Sequence, residues 1–309
     1  MFMHDVPEAP GPALAAALAN PFAWPQSGLE PLPWFPFAAA SSHGQTDVAA
    51  RIARRTERAY WYLRKLFGFT PRFRLLVLDP IDWAQFAEVS TYGVTHFTAD
   101  GHLIVGAEPA AAWRHVSRYF ALRLPPADLR ALVAAHGHDP VFPAGPDLSG
   151  VAETLIAHEL AHLIAAEAGA AFGRRCLAEA FANYALIAAL GETDPDGLHR
   201  VGTLAEAALI LADATPTLRE FDEGEGILDP VSSVLAQLAL TRSVFLAYAA
   251  TGDEPLARWF AIACAAGHRK TPRDADHELG RLLTQDVHPA IGHLALHCAD
   301  WRSPMARAA

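Results

Sequence analysis

The chain has 309 residues, a formal net charge of −10 and 52% hydrophobic residues. This length and apolar content can bury a large core, and they favour two subdomains around one cleft over two independent domains. The acidic balance, together with the lack of a basic cluster, argues against nucleic acid as a partner.

Cysteine usage and hydropathy indicate the expected surroundings of the protein. Three scattered cysteines are too few for a disulfide framework and fit a reducing compartment (Cys176, Cys264, Cys298). The N-terminal segment carries the acidic Asp5 and Glu8 and no basic region before its alanine-rich run, so no signal peptide is expected. No uninterrupted apolar stretch reaches the ~18 residues of a membrane span. We therefore expect a cytoplasmic protein that does not bind a membrane.

The first segment of the chain, residues 1–45, is rich in proline and aromatic residues. Its prolines forbid a continuous helix, whereas aromatic side chains such as Trp24, Trp34 and Phe35 favour burial. We interpret residues 1–45 as an irregular arm packed across the domain surface. The alternative is a segment that lines or covers a cleft.

Residues 46–170 follow with a mixture of helix and strand signals, which predicts an α/β subdomain. A helix is predicted at 127–136, between two proline-containing segments. Alternating or apolar runs predict three strands, of which the last two are joined by the turn-like Thr98–Gly101 (72–78, 92–97, 102–106). Residues 171–309 form the second expected subdomain.

The run His158-Glu159-Leu160-Ala161-His162 is the most informative motif in the sequence. Its flanking residues predict a helix from Val151 to Ala168 that ends at Gly169, with Ser149 or Asp147 as N-cap. Residues four apart project from the same face of a helix, so the two imidazoles can converge on one Zn²⁺. Glu159 lies beside them, where a carboxylate can accept a proton from an activated water.

A third protein ligand has to come from elsewhere in the chain, since zinc sites of this kind use three. Residues 175–186 read as a second helix, and Glu179 is its only carboxylate, set among apolar neighbours. The stretch from His162 to Glu179 is long enough for a helix end, a loop and the start of an antiparallel helix.

The HExxH motif followed about one helix later by Leu177-Ala178-Glu179-Ala180-Phe181-Ala182-Asn183-Tyr184 resembles the gluzincin metallopeptidases, which include thermolysin and aminopeptidase N. The resemblance implies that His158, His162 and Glu179 bind one zinc ion and that Glu159 is the general base. It also implies an α+β fold, in which a small mixed sheet and the zinc helix precede a helical C-terminal subdomain. An edge strand beside the zinc helix, from 92–97 or 102–106, would then pair with a peptide.

Two positions depart from that pattern. Many gluzincins have an acid four residues after the glutamate ligand, where it orients a ligand histidine; this chain has Asn183, whose amide oxygen can still accept a hydrogen bond. Aminopeptidase-like relatives stabilise the oxyanion with a tyrosine in the region that corresponds to Leu228–Leu240, which has none here. Tyr248, farther along, is our candidate, and the alternative is that it is a core aromatic. Tyr92, His96 and the C-terminal histidines are other candidates.

The resulting hypothesis is a zinc metallopeptidase that hydrolyses peptide bonds in a peptide or protein substrate. Glu159 would take a proton from the zinc-bound water and pass it to the leaving amine. The alternative is a peptidase-like scaffold, with weak or no activity, that binds a peptide or protein partner. The missing tyrosine favours the scaffold, whereas the intact Glu159 favours the enzyme.

Overall fold

The computed structural model describes residues 28–211, 230–267, 279–289 and 291–292. Five strands occur in this part of the chain: β1 Glu30–Leu32, β2 Ala38–Ser41, β3 Arg74–Leu78, β4 His96–Phe97 and β5 His102–Gly106. Its α-helices are α1 Thr46–Phe67, α2 Pro80–Phe86, α3 Ala111–Arg123, α4 Pro126–His136, α5 Val151–Thr154, α6 Ile156–Glu167, α7 Arg175–Thr193, α8 Pro195–Ile210, α9 Pro230–Thr251 and α10 Glu254–Gly267. A π-helical segment spans Leu283–Val287. The expected α+β class is confirmed.

The strands form one mixed sheet in the order β1-β2-β3-β5-β4. The inner pairs β2–β3 and β3–β5 are parallel, while β1 and β4 pair antiparallel to their neighbours. The predicted turn between β4 and β5 is present, with the Gly101 N–H donating to the Thr98 carbonyl at 3.0 Å. A small mixed sheet was the expectation from the sequence.

The irregular arm expected for residues 1–45 needs correcting over its described part, residues 28–45. This segment supplies β1 and β2, so it belongs to the sheet. The prolines fall outside the inner strand β2, whose Ala38–Ser41 backbone pairs with β3. Three alanines in a row have little strand propensity, and their place in the sheet depends on the strand beside them. Residues 1–27 lie outside the described part.

Both faces of the sheet are covered, and this places the helix that carries the HExxH motif. Leu75, Val77 and Leu103 face the main core with α1, α6 and α7. Leu76 and Ile104 face the other side, where Trp83 of α2 covers them. Because successive residues of a strand point to opposite faces, the continuous apolar run of β3 is what a central strand requires.

Helices make up the rest of the described fold. The main core includes residues of α7, α9 and α10 as well as the sheet, so it crosses the subdomain boundary predicted at residue 170. A second core lies between α3, α4, α5, α8 and α9. The strands described here all precede residue 107, and the elements described after 171 are helical.

Helix α9 is apolar along most of its length. Its Val231–Thr251 part is long and apolar enough to cross a membrane, judged by length and composition alone. A core helix of a soluble protein has the same properties, and α9 packs against α7 and α8.

Candidate metal centre

The helical region that carries the HExxH motif is divided near its start. The expected continuous helix from Val151 is divided at Leu155 into α5 and α6. The Thr95 hydroxyl donates to the Ala152 carbonyl at 2.7 Å. The Thr154 hydroxyl donates to the Val151 carbonyl at 2.6 Å, and this carbonyl also accepts from the Leu155 N–H at 3.3 Å. Hydroxyls that bond to helix carbonyls compete with the backbone N–H groups of the next turn, and they do so here where the helix divides.

The ends of this helical region match the sequence only in part. Gly169 ends the helix, as predicted, with a φ of 70° in the left-handed region. Neither N-cap candidate caps the start: Gly150 holds that position without a side-chain bond, and Asp147 instead accepts from the Ser149 N–H at 2.9 Å.

Three side chains from α6 and α7 converge on one point. The Nε2 atoms of His158 and His162 lie 3.0 Å apart. Glu179 Oε2 is 3.2 Å from the first of these nitrogens and 3.4 Å from the second. Among the described residues, this trio is the group that could hold a metal ion. The predicted convergence of a residue pair on one helix with a carboxylate on the next is confirmed.

The geometry and chemistry of the trio fit a metal ion. Nitrogen and oxygen ligands at about 2.0–2.2 Å in a tetrahedral zinc site are about 3.3 Å from one another, close to the three separations observed. Two ring nitrogens and a carboxylate oxygen that point at one another also need a cation or shared protons between them.

Burial and mutual charge shift the pKa values of His162 and Glu179 in opposite directions. Desolvation lowers the pKa of His162, but the neighbouring Glu179 carboxylate outweighs it and raises that pKa overall. Desolvation likewise opposes ionisation of Glu179, but the charge of His162 outweighs it and holds the pKa of Glu179 well below its usual range. The His158 side chain is 8% exposed and that of His162 is 26% exposed, so solvent reaches the group from the His162 side.

Glu159 occupies the position expected of a base. It follows His158 on α6, is half-buried, and its charge contributes to raising the pKa of His162. Glu159 thus lies next to the trio and outside it, and its assignment as the general base stays a prediction from the sequence.

Two amide side chains support the trio. The His158 Nδ1–H donates to the Asn183 amide oxygen at 3.0 Å, the role that the sequence assigned to Asn183. Gln237 of α9 was not predicted: its Nε2 donates to Glu179 Oε2 at 2.6 Å, and its Oε1 accepts from Asn183 Nδ2 at 3.2 Å. No motif marks this glutamine in the sequence, and its only signal is that it interrupts an apolar helix.

An edge strand lies beside α6, as the sequence predicted. It is β4, which lies at one edge of the sheet among the described strands, pairs with β5 and contacts α6. Thr95, which precedes it, donates to the Ala152 carbonyl and so joins the strand to the start of the motif helix.

The predicted oxyanion donor is not brought to the trio. Tyr248 is eleven residues from Gln237 on α9, about 16 Å along a helix. Its ring lies 6.0 Å from that of Tyr184, and its hydroxyl lies against Gly191 near the end of α7. The assignment of Tyr248 as catalytic is therefore corrected: its ring belongs to the packing between α7 and α9.

Two further donor candidates are engaged elsewhere, and three lie outside the described residues. The Tyr92 hydroxyl donates to the Leu78 carbonyl and accepts from the Glu108 N–H, and burial raises its pKa to about 12. His96 is buried against Trp83, with its Nδ1 2.7 Å from the Val94 carbonyl. Three C-terminal histidines lie outside the described residues (His277, His293, His297).

Comparison of the chain with protein-family models, with curated proteins and with solved structures finds no match. The chemistry of the trio is therefore interpreted from its own geometry.

Proposed function

We propose that the protein is a zinc-dependent metallopeptidase of gluzincin type that hydrolyses peptide bonds. The observation that carries the proposal is the convergence of His158, His162 and Glu179 within 3.0–3.4 Å, with Glu159 next to the first ligand. Two imidazoles and one carboxylate are a ligand set of catalytic zinc sites, which keep an open position.

The residues of the chain divide the work between binding and proton transfer. His158, His162 and Glu179 would hold the ion. Zn²⁺ bound by such a set polarises a carbonyl and makes water acidic near neutral pH. Glu159 accepts the proton from the attacking water and delivers it to the leaving amine, which is general acid–base catalysis by one carboxylate. The edge position of β4 among the described strands supports a peptide substrate, because an extended chain can add to the edge of a sheet.

A peptidase-like scaffold is the second candidate, and the position of Tyr248 favours it. A tetrahedral intermediate needs charge stabilisation, and losing one oxyanion donor typically lowers the rate by ~10²–10³-fold. The tyrosine candidates Tyr92 and Tyr248 are both engaged away from the trio. Such a scaffold would bind zinc and a peptide or protein partner without cleaving it.

The two candidates separate in a peptide-library digest read by mass spectrometry. Zinc-loaded wild type should cleave members of the library, and Glu159→Gln at equal zinc content should not. Wild type that holds zinc but cleaves nothing across a broad library would favour the scaffold. Cleavage that persists in Glu159→Gln would point to a contaminating peptidase and remove the support for Glu159 as base.

A further inference from the structure

Gln237, on a helix that is distant in sequence, hydrogen-bonds to one member of the trio and to the amide that bonds to another. Its two amide atoms bond to Glu179 and to Asn183, which come 58 and 54 residues earlier in the chain. One side chain of α9 thus joins the carboxylate ligand to the amide that contacts the ligand His158.

The hydrogen bonds run in series from Glu179 through Gln237 and Asn183 to His158, and the ionised Glu179 carboxylate fixes which group donates in each. An ionised carboxylate can only accept, so Gln237 must present its NH₂ group to Glu179 and its oxygen to Asn183. Asn183 must then donate its NH₂ to Gln237 and offer its oxygen to His158. The His158 Nδ1 therefore carries the proton, and its Nε2 lone pair faces His162 and Glu179.

We propose that Gln237 is the positioning residue of the metal centre. It fixes the carboxylate of Glu179 directly, and through Asn183 it sets the tautomer and ring orientation of His158. This inference rests on the proposed metal-binding function of the trio. No second buried charge is needed to orient His158, because the two neutral amides connect it to the Glu179 carboxylate by hydrogen bonds of fixed direction.

The expected size of the effect follows from the role of groups that orient metal ligands. Removal of such a partner typically lowers metal affinity by ~10–100-fold. Gln237→Met keeps the length and helix propensity of the side chain and removes both hydrogen bonds. It should therefore weaken Zn²⁺ binding by about that factor in a chelator competition. It should also shift the visible absorption of the Co²⁺-substituted protein, which reports ligand geometry.

A matched control comes from the same helix. Ser243 is buried on α9 and donates to the Ala239 carbonyl at 3.2 Å, within the helix itself. Ser243→Ala removes a buried hydrogen bond without touching the trio, so it should leave Zn²⁺ affinity and the Co²⁺ spectrum unchanged. Should Gln237→Met fail to fold, Gln237→Asn serves instead, because its amide is one methylene too short to reach both partners.

A double-mutant cycle tests the connection through Asn183. Asn183→Leu removes the partner of His158, and the combination with Gln237→Met should cost less affinity than the two single changes together. Strictly additive losses would overturn the relay, since Gln237 would then act on Glu179 alone.

The same titrations keep this inference apart from the peptidase proposal. Wild type that binds neither Zn²⁺ nor Co²⁺ overturns both. Wild type that binds metal without cleaving peptides overturns the peptidase alone, and the affinity comparison still decides the role of Gln237. The result expected is weaker binding and an altered Co²⁺ spectrum in Gln237→Met, with Ser243→Ala matching wild type. Wild-type affinity and spectrum in Gln237→Met would overturn the proposal.

Discussion

Helices α7 and α9 meet in two regions with opposite chemistry. In the polar region, Gln237 bonds to Glu179 and Asn183. In the aromatic region, Tyr248 packs on Tyr184 and Gly191. The aromatic region is stabilised by burial of apolar surface, as an ordinary helix contact is.

The polar region has no comparable source of stability. A buried polar group that lacks its partner costs about 1–3 kcal/mol, and Asn183 is only 2% exposed. Its amides are satisfied by one another and by the two ligands His158 and Glu179. The difference teaches that the same helix pair provides stability in one region and a prearranged ligand set in the other.

The largest effect is expected from removal of a ligand in the polar region. Wild type should bind about one Zn²⁺ per chain, and His162→Ala should lose it because only two of the three donors remain. Metal analysis after dialysis measures this directly. His115→Ala, which changes an exposed histidine on α3, is the control and should keep its zinc. Full zinc in His162→Ala would place the metal elsewhere and abolish the distinction between the two regions.

The next effect concerns chemistry without loss of metal. Glu159→Gln should keep its zinc, because Glu159 stands outside the trio, while peptide cleavage falls by ~10²–10⁴-fold since an amide cannot take the proton. Glu179→Ala should lose metal affinity, because one of the three ligands is gone, and cleavage should be lost with the metal. The two variants are compared by zinc content and by cleavage rate in the same preparations. If Glu159→Gln lost zinc and Glu179→Ala retained it, their roles would be exchanged.

A smaller effect, on stability alone, is expected in the aromatic region. Tyr248→Ala removes a half-buried ring and should lower the free energy of unfolding by about 2 kcal/mol, less than for a fully buried aromatic. Its zinc affinity should equal that of wild type. Denaturant unfolding and chelator competition test the two statements. Weaker zinc binding in Tyr248→Ala would show that the regions are coupled.

The smallest effect is expected when only the hydroxyl of Tyr248 is removed. Tyr248→Phe keeps the ring between α7 and α9, so stability should change by less than about 0.5 kcal/mol and cleavage should not change. A loss of kcat in Tyr248→Phe, with zinc retained, would contradict the packing role and restore this tyrosine as an oxyanion donor.

The polar region could be predicted from sequence where the signal is local. His158 and His162 share a helix face through their spacing alone. Glu179 is recognisable because it is the lone carboxylate in the apolar stretch 175–186, which closely follows the motif. Gln237 has no such signal, because it joins the site only through the packing of α9 on α7.

In the aromatic region and in the sheet, too, the sequence does not predict contacts that depend on tertiary packing. The sequence places Tyr248 near the site only through the resemblance to gluzincins, in which the donor lies in the preceding region. In the structure Tyr248 lies about three turns beyond Gln237 on α9, and a rise of 1.5 Å per residue places its ring well away from the trio. Strands β1 and β2 were missed because prolines and alanines give little strand signal, whereas β3, β4 and β5 were found from apolar runs and a turn.

The proposed function requires one metal ion bound by the trio, with Glu159 as the base in peptide hydrolysis. The most direct measurement is a zinc titration of the metal-free protein with a peptide substrate present. Cleavage should rise with added zinc and reach its plateau at about one Zn²⁺ per chain, because three donors form one site. Glu159→Gln should bind the same equivalent of zinc without cleavage. A wild-type protein that takes up one zinc while no peptide is cleaved would contradict the proposed function.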